Sequence, residues 1–115
     1  MGHIIRDTDM CKPGDVLLVA IQLTDKQTGQ PFWWKSFRCV MRVTSSRFAT
    51  LLHLKMHPDL DKDVREVDFH EGAGNHMGEG VRQVIEWLPE EAWPQGVVAM
   101  RMKQIALGVL DLTPF

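Results

Sequence analysis

The chain has 115 residues, 44% hydrophobic and 24% charged, with a formal net charge of −2. These are the figures of one ordinary globular domain spanning 1–115, long enough to bury a core without staples. No apolar run approaches the roughly 18 residues of a membrane-crossing helix, and the charged N-terminus lacks a secretory apolar stretch, so a cytoplasmic protein without a membrane partner is expected.

"MGHIIRDTDMC" starts the chain, and Arg6 breaks the myristoylation frame that Gly2 would open. "KPGDVLLVAIQL" follows a Pro-Gly turn with a dense apolar run over 16–23, which suits a strand buried on both faces. "TDKQTGQP" is turn material, with Gly29 able to take positive φ. "FWWKSFRCVMRV" alternates, placing Phe37, Cys39, Met41 and Val43 on one side and Arg38, Arg42 and Thr44 on the other. The two strands make a hairpin.

"SSRFATLLHLKMH" fits a helix capped by Ser46 or a strand, and the turn-like "TSS" before it favours the strand. "PDLDKD" reads as a loop and "VREVDF" as a short strand. "VRQVIEWL" alternates Val81, Gln83, Ile85 and Trp87 against Arg82, Val84, Glu86 and Leu88. "PEEAWPQG" reads as one helical turn between Pro89 and Pro94. "VVAMRMKQIAL" is expected as another hydrophobic strand, and "VLDL" as a short terminal one. Some six strands with one or two short helical turns predict a mainly β, β-rich α+β fold, a small antiparallel barrel or sandwich.

Charge is divided along the chain. From 26 to 58 there are six basic residues and no acidic ones; from 59 to 91 there are ten acids against three bases. Such a split predicts either two faces of opposite sign or strands that pair and neutralise each other. Opposite faces would also let two copies dock, making a homo-oligomer an expectation.

"HEGAGNHMGEG" holds the densest run of small residues and histidines. Its glycines give Gly-x-Gly-x-x-x-Gly, one residue too long for a dinucleotide cradle, and Asp68, Glu71 and Glu79 would repel a phosphate. His70 and His76, with His53 and His57, could hold a metal only if they converge. Asp59, Asp61 and Asp63 match the first positions of a calcium loop, but Val64 stands where the turn glycine is needed. A flexible connection between strands, with no metal and no cofactor, is the favoured reading of the loop.

Cys11 and Cys39 are read as free thiols, Cys39 as a small core residue rather than a nucleophile. No Cys-x-x-Cys pair exists, and no serine sits in a nucleophile elbow, so no catalytic residue is assigned.

The aromatic-basic interleave is the most informative stretch. Phe32, Trp33 and Trp34 stand among Lys35, Arg38, Arg42 and Arg47 in the acid-free segment. Adjacent tryptophans on a strand point to opposite faces, and an exposed one beside arginine is a protein-binding anchor. The expected function is a non-catalytic protein-binding module, a small accessory or inhibitory protein of phage or mobile-element type. Phe32 to Arg47 would form one surface and Asp59, Asp61, Asp63, Glu66, Asp68 and Glu71 a second, facing a basic protein. Two alternatives stand beside it: a small barrel stacking single-stranded nucleic acid on the same rings, disfavoured by the negative net charge, and a metal-binding protein using the four histidines.

Overall fold

The computed structural model describes residues 2–70 and 82–112. Its strands are β1 (His3–Ile4), β2 (Val16–Thr24), β3 (Pro31–Val43), β4 (Phe48–His53), β5 (Val64–Asp68) and β6 (Gln83–Leu88). A one-turn helix α1 (Leu60–Asp63) and a longer helix α2 (Gln95–Ala106) complete the regular structure, with 3₁₀ turns at Thr8–Met10 and Glu90–Ala92. The strands form one sheet in the order β1-β6-β2-β3-β4-β5, every pair antiparallel. Edge strands β1 and β5 do not pair with each other, so the sheet is open. The mainly β class expected from the sequence is the one observed.

Strand β2 lies in the middle because its residues can be buried on both sides. Val16, Leu17 and Val19 are almost wholly inaccessible, and each such burial contributes roughly 1.5–3 kcal/mol. Leu17, Val19 and Ile21 face a first core with Val40, Leu51 and Ile85. Val16 faces a second with Cys39, Leu52, Leu88, Val97 and Leu110. The β2–β3 hairpin runs in unbroken register from Val16↔Cys39 to Thr24↔Pro31. Its turn is closed by the Asp25 amide donating to the Gln30 carbonyl at 2.9 Å, with Gly29 at φ 72°.

Strict alternation fails in β3 at one point. The register slips between Val40 and Arg42, a β-bulge. The bulge sends Val43 into the first core, away from Phe37, Cys39 and Met41, which line the second. Phe48–His53 is a strand, and the Thr44 amide donates to the Phe48 carbonyl across the preceding turn.

The run at 97–107, expected as a strand, is helical, and none of 109–112 is strand. Ala99, Met100, Arg101, Met102, Lys103 and Gln104 are all good helix formers, and Pro94 presets the entry. Gly108, at φ 77°, ends the helix in the left-handed region. Val97, Met100 and Gln104 mark its inward stripe, and Gln104 is completely buried. Three side chains of α2 hold it to the segments that flank β2 and β4 by donating to carbonyls: Arg101 Nε to Gly14 (3.0 Å), Lys103 Nζ to Met56 (3.2 Å) and Gln104 Nε2 to Lys55 (3.1 Å).

The segment expected as a loop at 58–63 contains α1. Asp59 caps it by accepting from the Asp61 amide, and Asp63 Oδ2 accepts from the Asp59 amide at 2.6 Å. Residues 71–81, with Glu71, His76 and most of the glycine-rich stretch expected as a flexible connection, lie outside the described residues.

Candidate functional site

The sheet is not uniformly wide, and this shapes the site. Strand β6 pairs with β2 from Val16 to Ile21, the Gln22 amide adds a bond to the Arg82 carbonyl (2.9 Å), and β4 accompanies β3 up to His53, opposite Arg38. One further rung joins them, from the Leu54 amide to the Phe37 carbonyl at 2.9 Å. The distal part of the β2–β3 hairpin therefore projects as an arm, and the outer edge of β3 from 31 to 36 has no neighbour among the described residues.

Parity fixes which backbone groups that edge presents. Val40 exchanges hydrogen bonds with the β2 side, through the Gly14 amide and the Asp15 carbonyl, whereas Phe37 reaches the β4 side. Counting back by twos in the unbroken register, Trp33 and Lys35 turn their N–H and C=O groups outward. Pro31, which has no N–H, falls on the same outward parity.

The side chains of the arm are equally open. Phe32, Trp33 and Trp34 are 45%, 41% and 42% exposed. Trp33 and Trp34 point to opposite faces and both are exposed, because among the described residues the strands that would cover them end earlier. Trp34 leans back over the body of the protein, its ring edge-on to His53 with centroids 5.9 Å apart. The other two tryptophans are half-buried, Trp87 donating to Asp15 (3.1 Å) and Trp93 to the Leu88 carbonyl (3.0 Å).

The basic residues expected on this surface scatter. Lys35 and Arg42 are exposed. Arg47 instead grips Asp68 through two hydrogen bonds of 2.9 and 2.7 Å. Arg38 is only 7% exposed. It shares the inner face of the sheet with His53, opposite it on β4, and Nε donates to Ser36 Oγ at 3.0 Å. Burial, then the nearby Arg65, lower its pKa from the ordinary guanidinium value, against the pull of Asp63.

Asp63 is itself buried. It takes Lys55 Nζ at 3.1 Å and lies 3.8 Å from His53 Nδ1. Burial pushes its carboxyl up, but the Asp59 amide, Lys55 and His53 together hold it below its usual value. His53 is lowered, by burial first and then by Arg38, with Asp63 opposing.

The acidic surface expected at 59–71 is accordingly divided. Asp63 and Asp68 are buried against Lys55 and Arg47, whereas Asp59, Asp61 and Glu66 are exposed. Here the acidic segment neutralises the basic one by direct contact between β4, β5 and their flanks. Of the four candidate metal histidines, His53 faces Arg38 and Asp63, while His57 and His70 are exposed. Strand β4 ends at His53, so the helical spacing that would align His57 with it is absent. Among the described residues no three metal-binding side chains converge.

Both cysteines are free thiols. Burial raises Cys39 to about 11 against the pull of Arg101, and burial with Asp15 and Asp7 does the same for Cys11. Thiols held protonated in this way are poor nucleophiles. No α-helix of the described residues is long and apolar enough to cross a membrane. No known protein family, curated protein or solved structure matches the chain.

Proposed function

We propose that the protein is a binding module for another protein, which docks along the outer edge of the β2–β3 arm. The observation that carries this reading is the coincidence, at 32–35, of a strand edge unpaired among the described residues with three exposed aromatic rings. Free strand edges attract further strands and are normally blunted by charge, shortness or cover. Here Lys35 is the only charge among residues 31–36, and the rings beside it supply large rigid contact area. A partner strand would take its main-chain bonds from Trp33 and Lys35 and its side-chain contacts from Phe32, Trp33 and Trp34. An accessory or inhibitory role, such as a phage or mobile element would encode, suits a small module of this kind. A cytoplasmic setting without cofactor belongs to the same proposal.

Single-stranded nucleic acid could stack on the same rings, but the geometry supports it less. Arg38 is buried and Arg47 is engaged with Asp68, which leaves Lys35 and Arg42 as the exposed cations nearby.

Peptides selected for binding to the immobilised protein provide the test. They are expected to protect the Trp33 and Lys35 amides from hydrogen exchange. Lys35→Pro removes an outward N–H without touching the ladder to β2, so the variant should fold and lose the peptides. Retained binding by both Lys35→Pro and Trp33→Ser would discard the edge. Fluorescence anisotropy with a short oligonucleotide at low salt is expected to show no binding, since the phosphate attraction is strongest there.

A further inference from the structure

We infer that the segment docking on β3 is a free C-terminal tail of the partner, laid parallel to the strand and ending beside Phe37. This rests on the docking edge proposed above and names what that edge would hold. The unused backbone groups of the edge carry the argument. By parity Trp33 and Lys35 each offer an N–H and a C=O, while Pro31 offers a C=O alone. Phe37 offers an N–H alone: its carbonyl is taken by the Leu54 amide at 2.9 Å, and its own N–H meets no acceptor among the described residues. Leu54 accordingly lies outside β4, which stops at His53.

Antiparallel strands exchange bonds residue for residue, each using its N–H and its C=O on the same opposite residue. A partner laid that way would leave a C=O unmet opposite Pro31 and an N–H unmet opposite Phe37. In a parallel pair, each bonding residue of the partner instead bridges a C=O and the N–H two residues further along. The edge holds such couples throughout: Pro31 C=O with Trp33 N–H, Trp33 C=O with Lys35 N–H, and Lys35 C=O with Phe37 N–H. A pentapeptide strand fills them with its first, third and fifth residues and leaves nothing over.

Direction then decides which end of the tail meets Leu54. A parallel strand points its C-terminus toward Phe37, and Leu54 occupies the next place along the edge. The fifth residue donates its N–H to the Lys35 carbonyl and accepts from the Phe37 N–H, and the chain goes no further in line. When that residue is the last one, the acceptor is a carboxylate, which bonds an N–H more strongly than an amide carbonyl does. The chain around it suits an acid: from 26 to 58 there are six basic residues and no acidic ones, and Asp63 is already taken by Lys55. Register also places the side chains. The first and third residues of the tail lie beside Phe32 and Trp34 on one face, and the fourth beside Lys35 on the other. The tail that fits is apolar at the first and third places and acidic next to last.

The experiment uses the full chain and two acetylated pentapeptides, Val-Thr-Val-Glu-Val with a free carboxylate and the same sequence amidated. Titration of tryptophan fluorescence is expected to show the free acid binding about tenfold tighter or more than the amide. The bound acid should protect the amides of Trp33, Lys35 and Phe37 from hydrogen exchange. A spin label at its N-terminus should broaden the NMR signals of Gln30 and Phe32 and spare those of Leu54 and Lys55. Lys35→Glu should lose this peptide and bind the one in which Lys replaces the Glu. If acid and amide bind equally, if the Phe37 amide stays unprotected, or if the label broadens Leu54 and Lys55 instead, the tail is overturned while the docking edge stands. If neither pentapeptide protects Trp33 and Lys35, the tail is overturned as well, and the peptides selected on the immobilised protein decide separately whether the edge survives.

Discussion

Strand β3 passes from one environment to another along its length. Residues 37–40 lie between β2 and β4 and are mostly buried, whereas 31–36 have β2 as their one partner strand among the described residues, and 31–35 are exposed. Strand β2 makes the same passage in the opposite direction. Composition does not explain the difference in β3, since the mostly buried half, Ser-Phe-Arg-Cys-Val, is no more aromatic or β-branched than the exposed Pro-Phe-Trp-Trp-Lys. What differs is how far the neighbouring strands reach. Burial in this sheet is thus set by the lengths of β4 and β6 and not by the composition of β2 and β3.

The sharpest way to break this comparison is to truncate one large side chain in each half. Leu17→Ala, in the doubly covered half, is expected to cost about 3 kcal/mol, as a cavity opens in the first core. Trp33→Ala, in the arm, should cost less than about 1 kcal/mol even though a larger side chain is lost. Urea denaturation of the two variants measures both. Equal losses would show that the arm is packed against something.

Two glycines probe the same contrast on the backbone. Gly14 precedes β2 at its covered end and Gly29 lies in the turn at the tip of the arm, both at positive φ. A Cβ on Gly14 would meet Arg101 Nη2 at 3.1 Å and a Leu112 methyl at 3.2 Å, whereas one on Gly29 meets nothing within 4 Å. Gly29→Ala is expected to cost about 1 kcal/mol from backbone strain alone, and Gly14→Ala roughly twice that.

The smallest effect lies at the boundary between the halves, at His53. Its folded pKa is depressed below the ordinary histidine value of about 6.5, by burial first and then by Arg38. The neutral ring is favoured in the folded state, so the stabilisation is present above about pH 6.5 and is lost as the pH falls through the folded pKa. His53→Gln should therefore flatten the decline of Tm between about pH 7 and 5, with little change above pH 7.

The hairpin was legible in the sequence because its cues are local: a dense apolar run, a turn glycine and an alternating strand. Helix α2 was not. Its buried stripe includes Gln104, whose amide is satisfied by the Lys55 carbonyl, so hydrophobic periodicity understated the inward face. The run of Val97, Val98, Ala99 and Met100 then resembled a strand, although Pro94 and Gly108 were sound start and stop signals. Arg38 was placed on the surface by parity, which identifies a face but not whether that face is covered. Exposure of both Trp33 and Trp34 depends on where β4 and β6 end, a property of distant segments.

The order of strands has a temporal consequence. Strands β2, β3 and β4 each pair with the next strand in sequence, but β6 must return to lie between β1 and β2, bringing Trp87 to Asp15 across 72 positions. Closing so long a loop is slow compared with zipping adjacent hairpins. During refolding, the β2–β5 meander should therefore assemble first, leaving one side of the VLLVAIQL segment temporarily bare. That interval is when the chain is most prone to clump, and pulse-labelled hydrogen exchange should find the amides of β6 protected after those of β3 and β4.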